Sequence, residues 1–190
     1  VIIQRSNGDV FLSSSLIKRL NEYYESPQID LLVNEDTLAI ARLIPFIKNI
    51  HTFSYQKKQE NWWKQEKDIL TNLYKKYDLS INLTASDRSV FYALILGRKS
   101  ISAVEFDKRK SWWKKILLTQ YYYFDSSRHI LKSNLEPLNL LKITFESIHH
   151  PIEASSEAIF NVEKKLKAVK VNNIASNHSL QGRLNTFLIL

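Results

Sequence analysis

The sequence predicts an all-α protein, an irregular bundle of six to eight helices. Three observations carry that expectation. Apolar residues recur at helical spacing along most of the chain, in stretches that open on Ser, Asn or Asp residues suited to cap a helix. No two runs are joined by a hairpin turn, and strand-like and helix-like runs do not alternate. No Pro/Gly-rich linker divides the 190 residues, so 1–190 reads as a single helical domain. The absence of an initiator methionine makes it read as a piece of a longer chain.

Taken in order, VIIQRSNGDVFL is a short strand or an extended lead-in, with a turn at Asn7-Gly8-Asp9. Ser13–Ser15 caps a helix to about Glu25, striped by Leu16, Leu20 and Tyr23 or Tyr24 and stopped by Pro27. Asn34 caps a second helix, with Glu35 and Asp36 near the positive end of its dipole and Pro45 kinking it. A third runs from about Tyr55 to Tyr77. Leu79–Thr84 alternates polar and apolar residues but is short, and reads as a connector. Ser86 or Asp87 caps a buried helix over Ser89–Leu96, ended by Gly97. Ser102-Ala-Val-Glu105 has the pattern of a capping box and opens a central helix to about Phe124. Further helices are expected within Pro137–His149, over Ile152–Val171 and at Leu180–Leu190.

Composition excludes several function classes. With no cysteine there is no disulfide, thiolate nucleophile or thiolate metal site. Three glycines leave little room for a P-loop, a dinucleotide fingerprint or a nucleophile elbow. No apolar run approaches the roughly 18 residues of a membrane-spanning helix. Charge is uneven: residues 1–95 hold 12 Lys/Arg against 11 Asp/Glu, and residues 96–190 hold 15 against 8. The basic half suggests an anionic partner.

The most loaded stretch is Phe106–Phe124, FDKRKSWWKKILLTQYYYF. Lys108, Arg109, Lys110, Lys114 and Lys115 flank Trp112 and Trp113, and Trp62 and Trp63 form a partial echo. Neighbours on a helix point about 100° apart, so in each pair one indole packs inward and the other lies at the periphery. An outer indole beside cations suits a lipid interface with anionic headgroups. Lys164 and Lys165, with Lys167 and Lys170, form a second cluster that could close a headgroup pocket with Arg128, His129 or Lys132. No serine sits in a recognisable nucleophile setting, and His149-His150 lacks a completing ligand. The sequence therefore points to a non-enzyme, with no catalytic residue, metal or cofactor.

The two tryptophan pairs, the nearby cations and the Lys/Asn/Ile/Leu-rich, glycine-poor style resemble the phosphoinositide-binding helical domains of Legionella type IV secretion effectors. That resemblance implies aromatic pairs entering a bilayer beside a basic headgroup pocket. The expectation is a membrane-targeting module on the cytosolic face of a membrane, or one secreted into a host cell, binding an anionic or phosphoinositide headgroup. The alternatives are a helical domain gripping a host protein and, third, single-stranded nucleic-acid binding.

Overall fold

The computed structural model describes residues 1–25, 27–54, 64, 66–106, 108–144, 160–162 and 164. Val1–Ile152 forms one compact unit and Glu153–Leu190 a second, of which residues 160–162 and 164 are helical. Within the first unit the described strands are β1 Ile2–Ile3, β2 Ile29–Asn34, β3 Ile47–Phe53, β4 Tyr77–Asn82, β5 Gly97–Val104 and β6 Gln120–Tyr123. They form one sheet in the order β3-β2-β1-β4-β5-β6, and every pairing is parallel. Around it lie α1 Asn7–Leu12, α2 Ser14–Tyr23, α3 Leu38–Ala41 after a 3-10 turn at Glu35–Thr37, α4 at residues 66–73, α5 Asp87–Leu96, α6 Lys108–Leu117 and α7 Ile130–Leu140.

This doubly wound α/β sheet overturns the all-α expectation. Parallel strands are covered by helices on both faces, so they read as short apolar runs rather than alternating ones. Ile29–Val33 is such a run, broken by Asp30, and all six residues of β2 are buried. The alternation in Leu79–Thr84 misleads because Ser80 and Asn82 are polar yet buried, at 4% and 0% exposure. Ser102 does not open a helix. It lies in β5, and its hydroxyl bonds to Ala103 O at 2.8 Å. The expected central helix is therefore β5, α6 and β6 in succession. The second expected helix is cut short at Ala41, and Ile47 begins β3.

Some helices form where capping residues placed them. Ser86 caps α5 by accepting from Ser89 N, with Asp87 in the first turn. Gly97 follows α5 in an extended conformation (φ −103°) and opens β5, so it is not a left-handed cap. Its small size matters for another reason. A Cβ there would lie 2.6 Å from Lys99 O and 2.7 Å from Ser80 Cβ. Gly97→Ala is therefore expected to cost about 1–3 kcal/mol through overpacking, read as a lower urea midpoint with unchanged slope. In α7, Pro137 sits inside the helix and buried, where the sequence suggested a first-turn position.

The helices divide between the two faces. Val10, Leu16, Ile17, Leu20, Leu135 and Leu138 cover one face over Ile3, Leu31, Val33 and Ile81. Ile69, Leu73, Tyr92, Ala93 and Leu96 cover the other over Ile2, Leu32 and Phe53. Trp113 extends that second layer over Val90, Val104 and Leu118. Each fully buried aliphatic side chain contributes about 1.5–3 kcal/mol.

At the amino ends of the strands, Asp30 is buried but fully engaged. It accepts from Asn49 Nδ2 at 2.9 Å and Tyr77 Oη at 2.7 Å, with His51 Nε2 at 3.3 Å and Lys76 Nζ at 3.7 Å. Burial works against the charged form, but the hydrogen bonds from Tyr77, Asn49 and His51 outweigh it and hold the carboxyl below its ordinary value. A depressed folded value means stability that is complete above the ordinary 3.8 and lost as pH falls below it through the folded value. Asp30→Asn should lose about 2 kcal/mol at pH 7, or about 4–8 °C in melting temperature. The two melting curves should converge as the pH is lowered past 3.8.

Candidate active site

In an open parallel sheet, ligands bind in the crevice outside the carboxyl ends of the strands, where the strand order reverses. Here that reversal lies between β1 and β4, because β1 leads outward to β2 and β3 while β4 leads the other way to β5 and β6. Two turns meet at this point. The β1–α1 turn is Gln4-Arg5-Ser6, leading straight into Asn7-Gly8-Asp9 at the start of α1, and the β4–α5 turn is Leu83-Thr84-Ala85-Ser86.

The two turns are tied together. Gln4 N donates to Thr84 Oγ1 at 3.0 Å, and Leu83 N donates to Ile2 O at 2.9 Å. The β4–α5 turn is shaped by Asn82, which is fully buried. Its Nδ2 faces Thr84 O at 2.6 Å, Ser102 Oγ at 2.8 Å and Ser89 Oγ at 3.2 Å, while its Oδ1 accepts from Thr84 N at 3.0 Å. Lys114 reaches the same turn from α6. Its ammonium donates to Ala85 O at 2.8 Å and pairs with Asp87 at 2.7 Å, and the side chain is 0% exposed.

Asp9 is the carboxylate in the first turn of α1, just past the β1–α1 turn. Ser6 caps α1, and its hydroxyl accepts weakly from Asp9 N at 3.5 Å. The Asp9 carboxylate is partly buried and lies 3.8 Å from the Arg5 guanidinium. Arg5 in turn sits 4.1 Å over the Phe124 ring, just past β6. Gly8 leaves open space beside the turn, with nothing within 4 Å of where a Cβ would be. Two other acids at this edge are engaged elsewhere. Asp87 is held by Lys114, and Asp125 accepts from Ser127 N and Oγ at 2.8 and 2.6 Å. A partly desolvated carboxylate at the mouth of the crevice can take a proton from a bound hydroxyl.

A cavity of about 1050 Å³ opens at the opposite, amino end of the sheet, lined by Asp30, His51, Tyr77 and Lys76 among others. It lies between β2 and β4 beneath the start of β1, where β2 from Ile29 and β4 from Tyr77 extend past it. The one buried carboxylate on its wall is already engaged by its four neighbours. The carboxyl edge is therefore the better candidate. Among the described residues, no group of His, Asp and Glu could hold a metal ion, and no helix is long and apolar enough to cross a membrane.

The chain is similar in sequence to lipopolysaccharide heptosyltransferase 3 of Escherichia coli, at 28% identity over 117 residues, covering 58% of this chain and 34% of that protein. The homologue from Escherichia coli strain K12 is 28% identical over 145 residues, covering 74% of this chain and 41% of its own length. In structure, the chain matches a glycosyl transferase family 9 protein from Veillonella parvula with a TM-score of 0.66 at 18% identity, covering 95% of this chain and 49% of that one. Its fold is that of these transferases. An E. coli heptosyltransferase, WaaC, with ADP-2-deoxy-2-fluoro heptose gives a TM-score of 0.61 at 12% identity, covering 78% of this chain and 50% of that one. No protein-family model matches the chain. The chain spans about a third to two fifths of the curated relatives and half of the solved ones.

These likenesses are to heptosyltransferases and to a glycosyl transferase family 9 protein, and they overturn the resemblance to phosphoinositide-binding effector domains. They also overturn the non-enzymatic reading, since the relatives are named as transferases. The expected partners fall with it. The relatives are named for lipopolysaccharide and for ADP-linked heptose, not for a lipid headgroup, a host protein or nucleic acid.

The structure distributes the residues singled out in the sequence. Trp112 is 62% exposed on α6, whereas Trp113 packs inward. Lys114 is committed to the β4–α5 turn. Lys115 lies 4.9 Å over Tyr123 and 6.0 Å over Tyr121. Lys108 and Lys110 fall in the first turn of α6, and Arg109 beside them is exposed. Lys164 is exposed in the second unit, and Trp62, Trp63 and Lys165 lie outside the described residues. Among the described ones, Lys114 is placed against the crevice turns. Sequence reasoning read Asn7-Gly8-Asp9 as a turn, whereas these residues open α1. The signal it carried was an apolar Val-Ile-Ile run, then a glycine-bearing turn with an acid, then a helix.

Proposed function

We propose that this chain is part of a glycosyltransferase that moves a sugar, of the heptose class, from a nucleoside diphosphate onto a hydroxyl of a saccharide acceptor. The observation that carries this reading is Asp9, a partly buried carboxylate at the switch point of a sheet shared with heptosyltransferases. In the reaction the bond from the anomeric carbon to the diphosphate oxygen breaks and a bond to the acceptor oxygen forms. The acceptor proton passes to Asp9, and the nucleoside diphosphate leaves with the electron pair. Arg5 fixes the carboxylate beside the crevice, and the Asn82 and Lys114 contacts hold the facing turn.

The test is direct. The full-length protein that carries this chain is incubated with ADP-heptose and a deacylated lipopolysaccharide oligosaccharide. ADP release should depend on the acceptor, and the acceptor should gain the mass of one heptose residue. ADP-heptose left intact across a panel of such acceptors would overturn the reading.

A further inference from the structure

Buried polar side chains in this fold are largely spoken for, as the Asn82 and Asp30 contacts illustrate. Gln4 and Asn34 depart from that pattern. Each is 7% exposed. Neither Nε2 nor Oε1 of Gln4 has a hydrogen-bond partner, and neither has Oδ1 of Asn34. A buried polar group left unsatisfied costs about 1–3 kcal/mol, so such groups are scarce in native proteins and call for a reason.

Their place supplies one. Ile3 pairs with Val33, so the next residues, Gln4 and Asn34, are neighbours where β1 and β2 end. Asn34 pairs in turn with Phe53, the last residue of β3. Side chains alternate along a strand, which puts Gln4 on the face of Ile2, and Asn34 on the face of Leu32 and Phe53. The Arg88 guanidinium covers that face, 3.7 Å over the Phe53 ring. The row lies at the carboxyl edge of the sheet, and Gln4 is itself the first residue of the turn that leads into α1 and Asp9.

We propose that the side-chain amides of Gln4 and Asn34 form a subsite that reads the hydroxyls of a sugar ring. This rests on the transferase reading above and assigns the two residues to its substrate. An amide offers a donor and an acceptor side by side, which matches a hydroxyl that both accepts and donates. The same chemistry could come from the nucleotide-sugar or from the acceptor saccharide, because both carry vicinal hydroxyls.

The experiment compares the wild-type full-length protein with its Gln4→Leu and Asn34→Leu variants. Melting temperature is measured alone, with ADP-heptose and with the deacylated oligosaccharide, and KM is measured for each substrate. Leucine removes the unsatisfied groups, so the free variants should melt at or above the wild type. They should also lose the melting shift given by one of the two probes and raise KM for that probe by about tenfold or more. Loss confined to ADP-heptose assigns the donor, and loss confined to the oligosaccharide assigns the acceptor. Variants that keep both shifts and both KM values overturn the proposal, whether or not they melt lower. If one leucine variant fails to fold, the other decides on the same readouts. Because melting shifts need no turnover, they test the subsite even if the wild type transfers no heptose, so failure of the transferase reading stays separate.

Discussion

Replacing Asp9 with Asn is expected to lower heptosyl transfer by about 10²–10⁴-fold, the usual contribution of a positioned general base. The substitution keeps the shape of the side chain and its place in the first turn of α1. It removes the capacity to take a proton and the charge that faces Arg5. Stability should barely change, because the Arg5–Asp9 pair at 3.8 Å is partly solvated and such pairs contribute about 0–1 kcal/mol. The ADP-heptose KM should also stay close to wild type, since a base acts on the acceptor hydroxyl. Asp87→Asn and Asp125→Asn are the companions to measure, because their carboxylates stand at the same edge but are held by Lys114 and Ser127. If Asp9→Asn transfers within tenfold of wild type while one of the companions collapses, the base has been misassigned.

The second large effect is on stability. Asn82→Leu should cost about 3–5 kcal/mol, because it breaks a buried network that bridges β4, β5 and α5. Leucine fills the volume but leaves Thr84 N without its acceptor, and it removes a donor from Ser102 and Ser89. The expected fall in melting temperature is about 6–20 °C. Asn82→Asp should fare no better. It keeps an acceptor for Thr84 N but turns a second oxygen toward Thr84 O. A fall of less than about 2 °C for either variant would mean that the turn is held without this side chain.

What the sequence disclosed and what it hid follow from one physical distinction. Helices announce themselves through their ends, where unpaired amides need a partner. That is why Ser86 before α5 was legible; Ser13 stands just before α2 but its side chain caps nothing, because the hydroxyl donates back to Val10 O at 2.7 Å. Strands in a sheet covered on both faces have no such signal. Ile29–Val33 is five apolar or shielded positions between a proline and an acid pair, and nothing local marks it as the neighbour of Ile2–Ile3. The serines of β4 and β5 deepened the error. Ser80, Ser100 and Ser102 are buried and satisfied by contacts from distant parts of the chain, such as Ser80 Oγ to Ala93 O. Polarity read along the chain is a poor guide to exposure when the partners come from other elements. The crevice was hidden for the same reason, since Gln4 and Thr84 meet only after the sheet has formed. The Phe106–Phe124 stretch drew attention by composition, yet much of its chemistry is spent on packing α6 against β5 and on holding the β4–α5 turn.

The strand order also says something about how the molecule comes to exist. β1 is first in the chain but central in the sheet, between β2, about thirty residues on, and β4, about eighty residues on. Closing the longer loop costs about 0.9 kcal/mol more entropy than the shorter one. β1, β2 and β3 can therefore associate first, presenting one open edge of β1 to the later strands. The docking of β4 on that edge completes the sheet and, in the same event, brings Thr84 to Gln4 and builds the crevice. A nascent chain halted before Asn82 would hold half the sheet and Asp9, but not the β4–α5 turn that closes the crevice around it.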